Sequence, residues 1–193
     1  MKSPQEAGGE VSGGGRRSAS SSGAERLAIK QDSPTSIESR VSIREIKDSE
    51  LDSAASLIAR LKRLNGEFDP LLKTSASVEA DALKTLKSDL DNRDAIVLVA
   101  VEGSKVVGIV KAELVDRVFY EPRKEGAIDE FYILPEFRRG KLGNDLLNAM
   151  VDSLQKRGAV LITAEFPSQN DIAKRFYTKL GFRSLTNVYA RSY

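Results

Sequence analysis

The chain has 193 residues and contains no cysteine, no histidine and no tryptophan. Without cysteine it can form no disulfide, no thiolate metal site and no thiol nucleophile. Without histidine it also lacks the commonest metal ligand and the usual general base near neutral pH. Acid–base chemistry is left to carboxylates, lysine, tyrosine or water. An excess of charge is missing as well: 30 Lys and Arg stand against 28 Asp and Glu, a formal net charge of +2. That balance gives no electrostatic reason to expect a nucleic-acid partner. No apolar run approaches the ~20 residues that span a bilayer, and the N-terminus lacks the apolar centre of a secretion signal. A cytoplasmic protein with no membrane partner is expected.

Residues 1–40 hold 15 Ser and Gly and no aromatic side chain. Such a segment buries too little apolar surface to offset the entropy of ordering it. It reads as a disordered tail, in which Arg16, Arg17 and Lys30 are too few charges for a nucleic-acid arm. Residues 41–193 then form one domain with a core of its own.

Within that domain, 41–46 reads as a strand, and Asp48 or Ser49 caps a helix with Leu51, Ala54, Ala55, Ile58, Leu61 and Leu64 on one face, ended by Gly66. Val78, Ala82, Leu86 and Leu90 recur every four residues as a second amphipathic helix. Residues 95–101 and 106–115 pair as a hairpin about Glu102-Gly103-Ser104-Lys105, and 116–125 is a loop before a strand at 127–134. A helix from Asn144 carries Leu146, Leu147, Met150, Val151 and Leu154 and closes at Arg157 and Gly158. Residues 159–166 form a strand. A helix over 170–180 follows, with Ile172, Ala173, Phe176, Tyr177 and Leu180 on one side and Gly181 as its stop, and 182–193 supplies one or two final strands. The predicted fold is α/β, or α+β in detail: a mixed, mostly antiparallel central sheet flanked by about four helices. The glycine fingerprint of a dinucleotide fold and the Walker loop are both absent.

The most informative stretch is 128–143, where an apolar strand meets a proline stop and then a basic, glycine-containing turn that opens a helix. Successive backbone N–H groups at the positive end of a helix dipole, flanked by Arg and Lys, suit a phosphate dianion.

Arg138-Arg139-Gly140-Lys141-Leu142-Gly143 resembles the acetyl-CoA pyrophosphate loop of the GNAT family of N-acetyltransferases. Phe131-Tyr132-Ile133-Leu134-Pro135 resembles the strand and proline that lead into it. Asn170-Asp171-Ile172-Ala173-Lys174-Arg175-Phe176-Tyr177, continuing to Gly181-Phe182, resembles that family's second CoA-binding segment. The resemblance implies acetyl-CoA as acyl donor and no metal. The amide near Ile133 and the carbonyl of Leu134 would pair with the pantetheine arm, and the amides of Arg139, Gly140, Lys141, Leu142, Gly143 and Asn144, beside Arg138, would hold the pyrophosphate. Asn170 would bind the pantetheine side, with Ala173 leaving room. Asn170 is also a good helix N-cap, and Ala173 an ordinary small buried residue. Lys141 stands where the family pattern has its first glycine. If that position needs a positive φ, lysine is strained there.

The same resemblance makes Tyr177 the proton donor to the departing CoA thiolate. Since the acceptor amine arrives largely as an ammonium, a base is also needed. The candidates are Glu165, Asp129 and Glu130. Glu165 precedes Tyr177 by the spacing seen in ribosomal-protein N-terminal alanine acetyltransferases, and Asp129 matches a carboxylate of aminoglycoside acetyltransferases. Strand alternation sends Asp129 and Glu130 to opposite faces unless a bulge intervenes. The expected function is transfer of acetyl from acetyl-CoA to a primary amine by direct attack in a ternary complex. The acceptor, small molecule or peptide, stays open, with Pro167 arguing against peptide recognition. A non-catalytic acyl-CoA-binding or regulatory module is the alternative. The apolar C-terminal strand through Val188 and Tyr189 is available for a homodimer.

Overall fold

The computed structural model describes residues 41–192, so the tail expected at 1–40 lies outside the described residues. The elements are β1 (Val41–Glu45), α1 (Leu51–Phe68), α2 (Val78–Asp91), β2 (Ala95–Glu102), β3 (Lys105–Asp116), β4 (Lys124–Ile133), α3 (Leu142–Lys156), β5 (Leu161–Ala164) and α4 (Asp171–Lys179). Short 3-10 turns at Asp48–Glu50, Pro70–Leu72 and Pro135–Phe137 join them. The five strands lie in chain order, antiparallel from β1 to β4, with β5 parallel to β4.

Interior strand β2 shows no polar alternation because both of its faces are covered: all but its last residue are buried. Its hairpin to β3 turns on a two-residue loop in which Gly103 takes φ +61. Helices α1 and α2 cover one face, where Lys62 and Asp89 reach Glu130 and Lys111. Helix α3 covers the other. There Gly108 and Gly126 lie so close to Leu146 and Leu154 that a Cβ on Gly126 would fall 2.7 Å from Leu154 Cδ1. Leu86, Ile109, Ile128, Leu146, Leu147, Met150 and Leu154 are fully buried between these layers.

Several boundaries differ from expectation for local reasons. Helix α1 runs through Gly66 to Phe68 and stops where Asp69 becomes extended before Pro70. Leu90 and Ile172, expected on buried stripes, are 41% and 78% exposed. Strand β5 has four residues instead of eight. Residues 182–192 form no strand, and Val188 and Tyr189 are 87% and 91% exposed. Their apolar pattern describes a strand only where a sheet edge receives it, and none among the described residues does.

Candidate active site

Strands β4 and β5 stay together only from Glu125↔Leu161 to Ile128↔Ala164, flanked by bonds from the Val160 N–H to the Lys124 carbonyl at 3.1 Å and from the Glu165 N–H to the Ile128 carbonyl at 3.2 Å. Beyond it β4 continues to Ile133, and its edge away from β3 has no strand partner among the described residues. Hydrogen-bond alternation decides which groups face that edge. The Leu134 N–H bonds the Val107 carbonyl at 2.9 Å, so Ile133 and Phe131 direct their N–H and C=O groups the other way, into the opening. The Ile133 carbonyl already accepts the Arg138 Nε–H at 2.7 Å, and the Arg138 guanidinium lies over the Tyr132 ring at 5.0 Å. Leu134 has both backbone groups engaged, its carbonyl accepting the Phe137 N–H. The groups left on the edge are therefore the Ile133 amide and both groups of Phe131.

The basic turn follows directly. No side chain caps α3, and its first helical bond runs from the Asp145 N–H to the Lys141 carbonyl. The amides of Arg139, Gly140, Lys141, Leu142, Gly143 and Asn144 precede that bond, as in any uncapped helix start. Arg139, Gly140 and Lys141 are exposed. Lys141 takes φ −80 and ψ −11, ordinary helical values, so the strain foreseen for a lysine here does not arise. Gly143 packs close to Phe176 and Ile133, bringing the helix start up to the end of β4.

Tyr177 sits where β4 and β5 part. Its ring stacks on Phe166 at 5.3 Å and meets Phe176 and Phe182 edge-on at 5.2 Å, while Phe131 stacks on Phe176 at 5.5 Å. Five of the chain's twelve aromatic residues are thus gathered in this opening. Burial pushes the Tyr177 phenol above its ordinary pKa, holding the proton on the oxygen across the physiological range. Asn170 caps α4, its Oδ1 accepting the Ala173 N–H at 3.0 Å, which leaves its amide N–H groups for another partner.

Glu165 is exposed just past β5. Asp129 is the extra residue of a bulge in β4, where Lys111 pairs with Glu130 and Ala112 with Ile128. The bulge brings both Asp129 and Glu130 to the α1–α2 side. There Lys62 Nζ lies 2.6 Å from Glu130 Oε1, and Lys111 Nζ lies 3.5 Å from Asp89 and 3.7 Å from Asp129. Burial is the largest influence on Asp89, Asp129 and Glu130 and raises all three pKa values, against the opposing pull of the lysines. Beside them α1, α2, β3 and β4 border an open pocket of about 180 Å³ lined by Ile58, Lys62, Asp81, Ala82, Lys111 and Glu130 among others. Sequence reasoning missed Lys62, Lys111, Asp89, Phe131 and Phe166. Lys111 had a signal, a lysine inside an apolar strand that ends up with its side chain only 12% exposed. Among the described residues no group of three or more acidic side chains is arranged to hold a metal ion, and no helix is long and apolar enough to cross a membrane.

A split sheet whose bare β4 edge runs into an uncapped helix start is the arrangement on which a family model falls. Residues 60–182 match the acetyltransferase (GNAT) family, and the chain belongs to it. Among solved structures it is similar to an aminoglycoside N-acetyltransferase in complex with CoA, at 17% identity over 80% of this chain and 95% of that one, with a TM-score of 0.66. It is also similar to an aminoglycoside 6'-N-acetyltransferase from Acinetobacter haemolyticus (18%, 79% and 97%, TM-score 0.64). A transcriptional regulator from Bacillus halodurans is a third such structure (20%, 80% and 100%, TM-score 0.64). At these identities the likeness is one of fold. No curated protein matches the chain.

Proposed function

We propose that this protein is an acetyl-CoA-dependent N-acetyltransferase that transfers the acetyl group to a primary amine in a ternary complex. The observation that carries the reading is the β4 edge left bare beyond Ile128, ending at the uncapped start of α3. The Ile133 amide and the Phe131 backbone groups offer a ladder to an amide-bearing arm, as an added strand would find. The amides of residues 139–144, with Arg139 and Lys141, suit a pyrophosphate. Acetyl-CoA supplies the acetyl group as an activated thioester.

The residues on this chain divide the remaining work. A carboxylate on the α1–α2 side takes the ammonium proton of the acceptor. The amine nitrogen then bonds to the acetyl carbon and sheds its second proton to solvent as the carbon–sulfur bond breaks, with a β4 edge amide that the arm leaves free stabilising the carbonyl oxygen. Tyr177 Oη gives its proton to the departing sulfur and regains one from solvent. The balance is an ammonium and a thioester in, and an amide, a thiol and one released proton out. Burial raises the phenol, but the same dry setting raises the thiol too, so transfer between them stays near balance. With no cysteine in the chain, a cysteine acyl-enzyme is excluded. The aminoglycoside enzymes among the similar structures support an amine acceptor.

Free-thiol release from acetyl-CoA, measured against a library of amines, tests the proposal. CoA binding without turnover of any amine would favour a binding module instead.

A further inference from the structure

The two edges of the sheet are built differently. At one, β1 carries Arg44 and Glu45 among its five residues, the kind of charge that keeps an exposed edge from pairing with another chain. At the other, β5 is Leu161-Ile162-Thr163-Ala164, with no charge, no proline and no residue fully buried. Val160, just before it, is 73% exposed and extends the apolar edge. The Val160 N–H bonds to the Lys124 carbonyl on β4, so alternation turns the amide and carbonyl of Leu161 and Thr163 outward, where no described backbone group meets them. The matching half lies further along the chain, in Ser184-Leu185-Thr186-Asn187-Val188-Tyr189-Ala190. In a chain that is 30% charged these residues carry no charge, and all are exposed, Val188 and Tyr189 nearly completely. The segment leaves the body at Phe182, which is fixed on the Tyr177 ring, and residues 183–190 make no backbone-to-backbone bond with another described residue. Thr, Val and Tyr are strand formers, and an exposed, uncharged, strand-forming stretch is a surface for pairing.

We infer that two copies of this chain form a twofold dimer in which residues 184–190 of each pair along the β5 edge of the other. A single chain leaves both parts unused, since its own segment stands clear of its own edge. Each copy offers one bare edge and one bare strand, so two copies satisfy both at once and the exchange closes on itself, the isologous arrangement of a twofold pair. Pairing takes the outward groups of Leu161 and Thr163 into a ladder, as an added strand does, and moves Val188, Tyr189 and Val160 out of water. Strand β5 is also the outer lip of the split, so the second copy's strand backs the cleft from outside and leaves the bare β4 edge open. That edge takes no part in the exchange, and the dimer is therefore independent of the acetyltransferase reading.

The test joins sedimentation equilibrium with amide exchange read by NMR, both on the full chain at micromolar concentration. A species at twice the 21.1 kDa of one chain is expected. In it the Leu161 and Thr163 amides should exchange at least tenfold more slowly than in a variant carrying Asn187→Pro and Val188→Pro together. Adjacent prolines remove a ladder donor whichever of the two residues faces the edge. Both positions are exposed in the single chain, so the variant should fold, and unchanged exchange of the β2 amides checks that it does. It should sediment as a monomer with Leu161 and Thr163 exchanging freely. Tyr189→Asp, which carries a charge into the pairing, should raise the dimer dissociation constant at least tenfold. A monomeric parent overturns the inference, whether its β5 amides are open or are protected by the segment folding onto its own edge. A dimer whose Leu161 and Thr163 amides exchange freely uses another surface and overturns it as well. So does a proline variant that stays dimeric or protected, because another segment then covers the edge.

Discussion

Gly126 and Leu154 offer the sharpest quantitative test of how the sheet is held against α3. A Cβ on Gly126 would stand 2.7, 2.8 and 3.0 Å from Leu154 Cδ1, Cδ2 and Cγ, and Leu154 is completely buried, so it has nowhere to swing. Gly126→Ala should overpack this contact at about 1–3 kcal/mol, partly offset by the 0.4–1 kcal/mol gained when the unfolded chain loses glycine's freedom. The net expectation is a destabilisation of about 1–2 kcal/mol. Leu154→Ala opens a void and should cost about 2–5 kcal/mol. In the double variant the new methyl group enters the space that Leu154 vacates, so the combined loss should fall short of the sum by about 1–2 kcal/mol. Urea denaturation of the four proteins measures this. With m near 1–3 kcal/mol per molar, Gly126→Ala alone should lower the midpoint by roughly 0.5–1 M. Additivity within about 0.5 kcal/mol would refute the argument, since contacting residues must couple. CoA affinity should stay within about twofold throughout, because the contact lies at the paired end of β4.

Tyr177→Phe keeps the ring packing and removes only the hydroxyl. It should lower thiol release by about 10²–10⁴-fold with CoA affinity retained, and an undiminished rate would exclude Tyr177 as the acid. Lys141→Gly should weaken CoA binding by about two- to fivefold through loss of an exposed charge. Tighter binding, read by titration, would mean that the complex needs a positive φ there after all. Glu50, held by the Arg44 guanidinium at 2.5 and 2.8 Å, has its pKa lowered from 4.5 to about 2. The pair therefore stabilises the fold fully above pH 4.5 and loses that contribution as pH falls through about 2. Arg44→Ala should lower Tm at pH 7, and the gap from the parent protein should close on acidification. A gap constant from pH 7 to pH 2 would contradict the assignment.

The element order was legible because each helix and strand carried its own period and its own stop. Ala82 and Leu86 at fourfold spacing, and Gly158 and Gly181 at φ +94 and +87 past their helices, are local signals with local causes. What escaped were properties that exist only between elements. The length of β5 depends on where β4 parts from it, and the exposure of Val188 and Tyr189 depends on whether an edge is within reach. The orientation of Asp129 and Glu130 turned on one bulge residue that no periodicity marks. Arg138 was readable as a cation near a phosphate turn, but its guanidinium folds back on the Ile133 carbonyl, a bond decided by the 3-10 turn between them.

The brevity of β5 also bears on how the domain comes apart. Four residue pairs and a knot of rings fasten β5 and α4 to the rest. That seam should open well before the β2–β3 centre of the sheet, so amide exchange ought to be fastest there and to follow a sub-global opening. A ligand that bridges Phe131 on one side and the turn past Glu165 on the other would act as a clasp on the weakest seam. Its binding should then slow exchange through α4 far more than through β2.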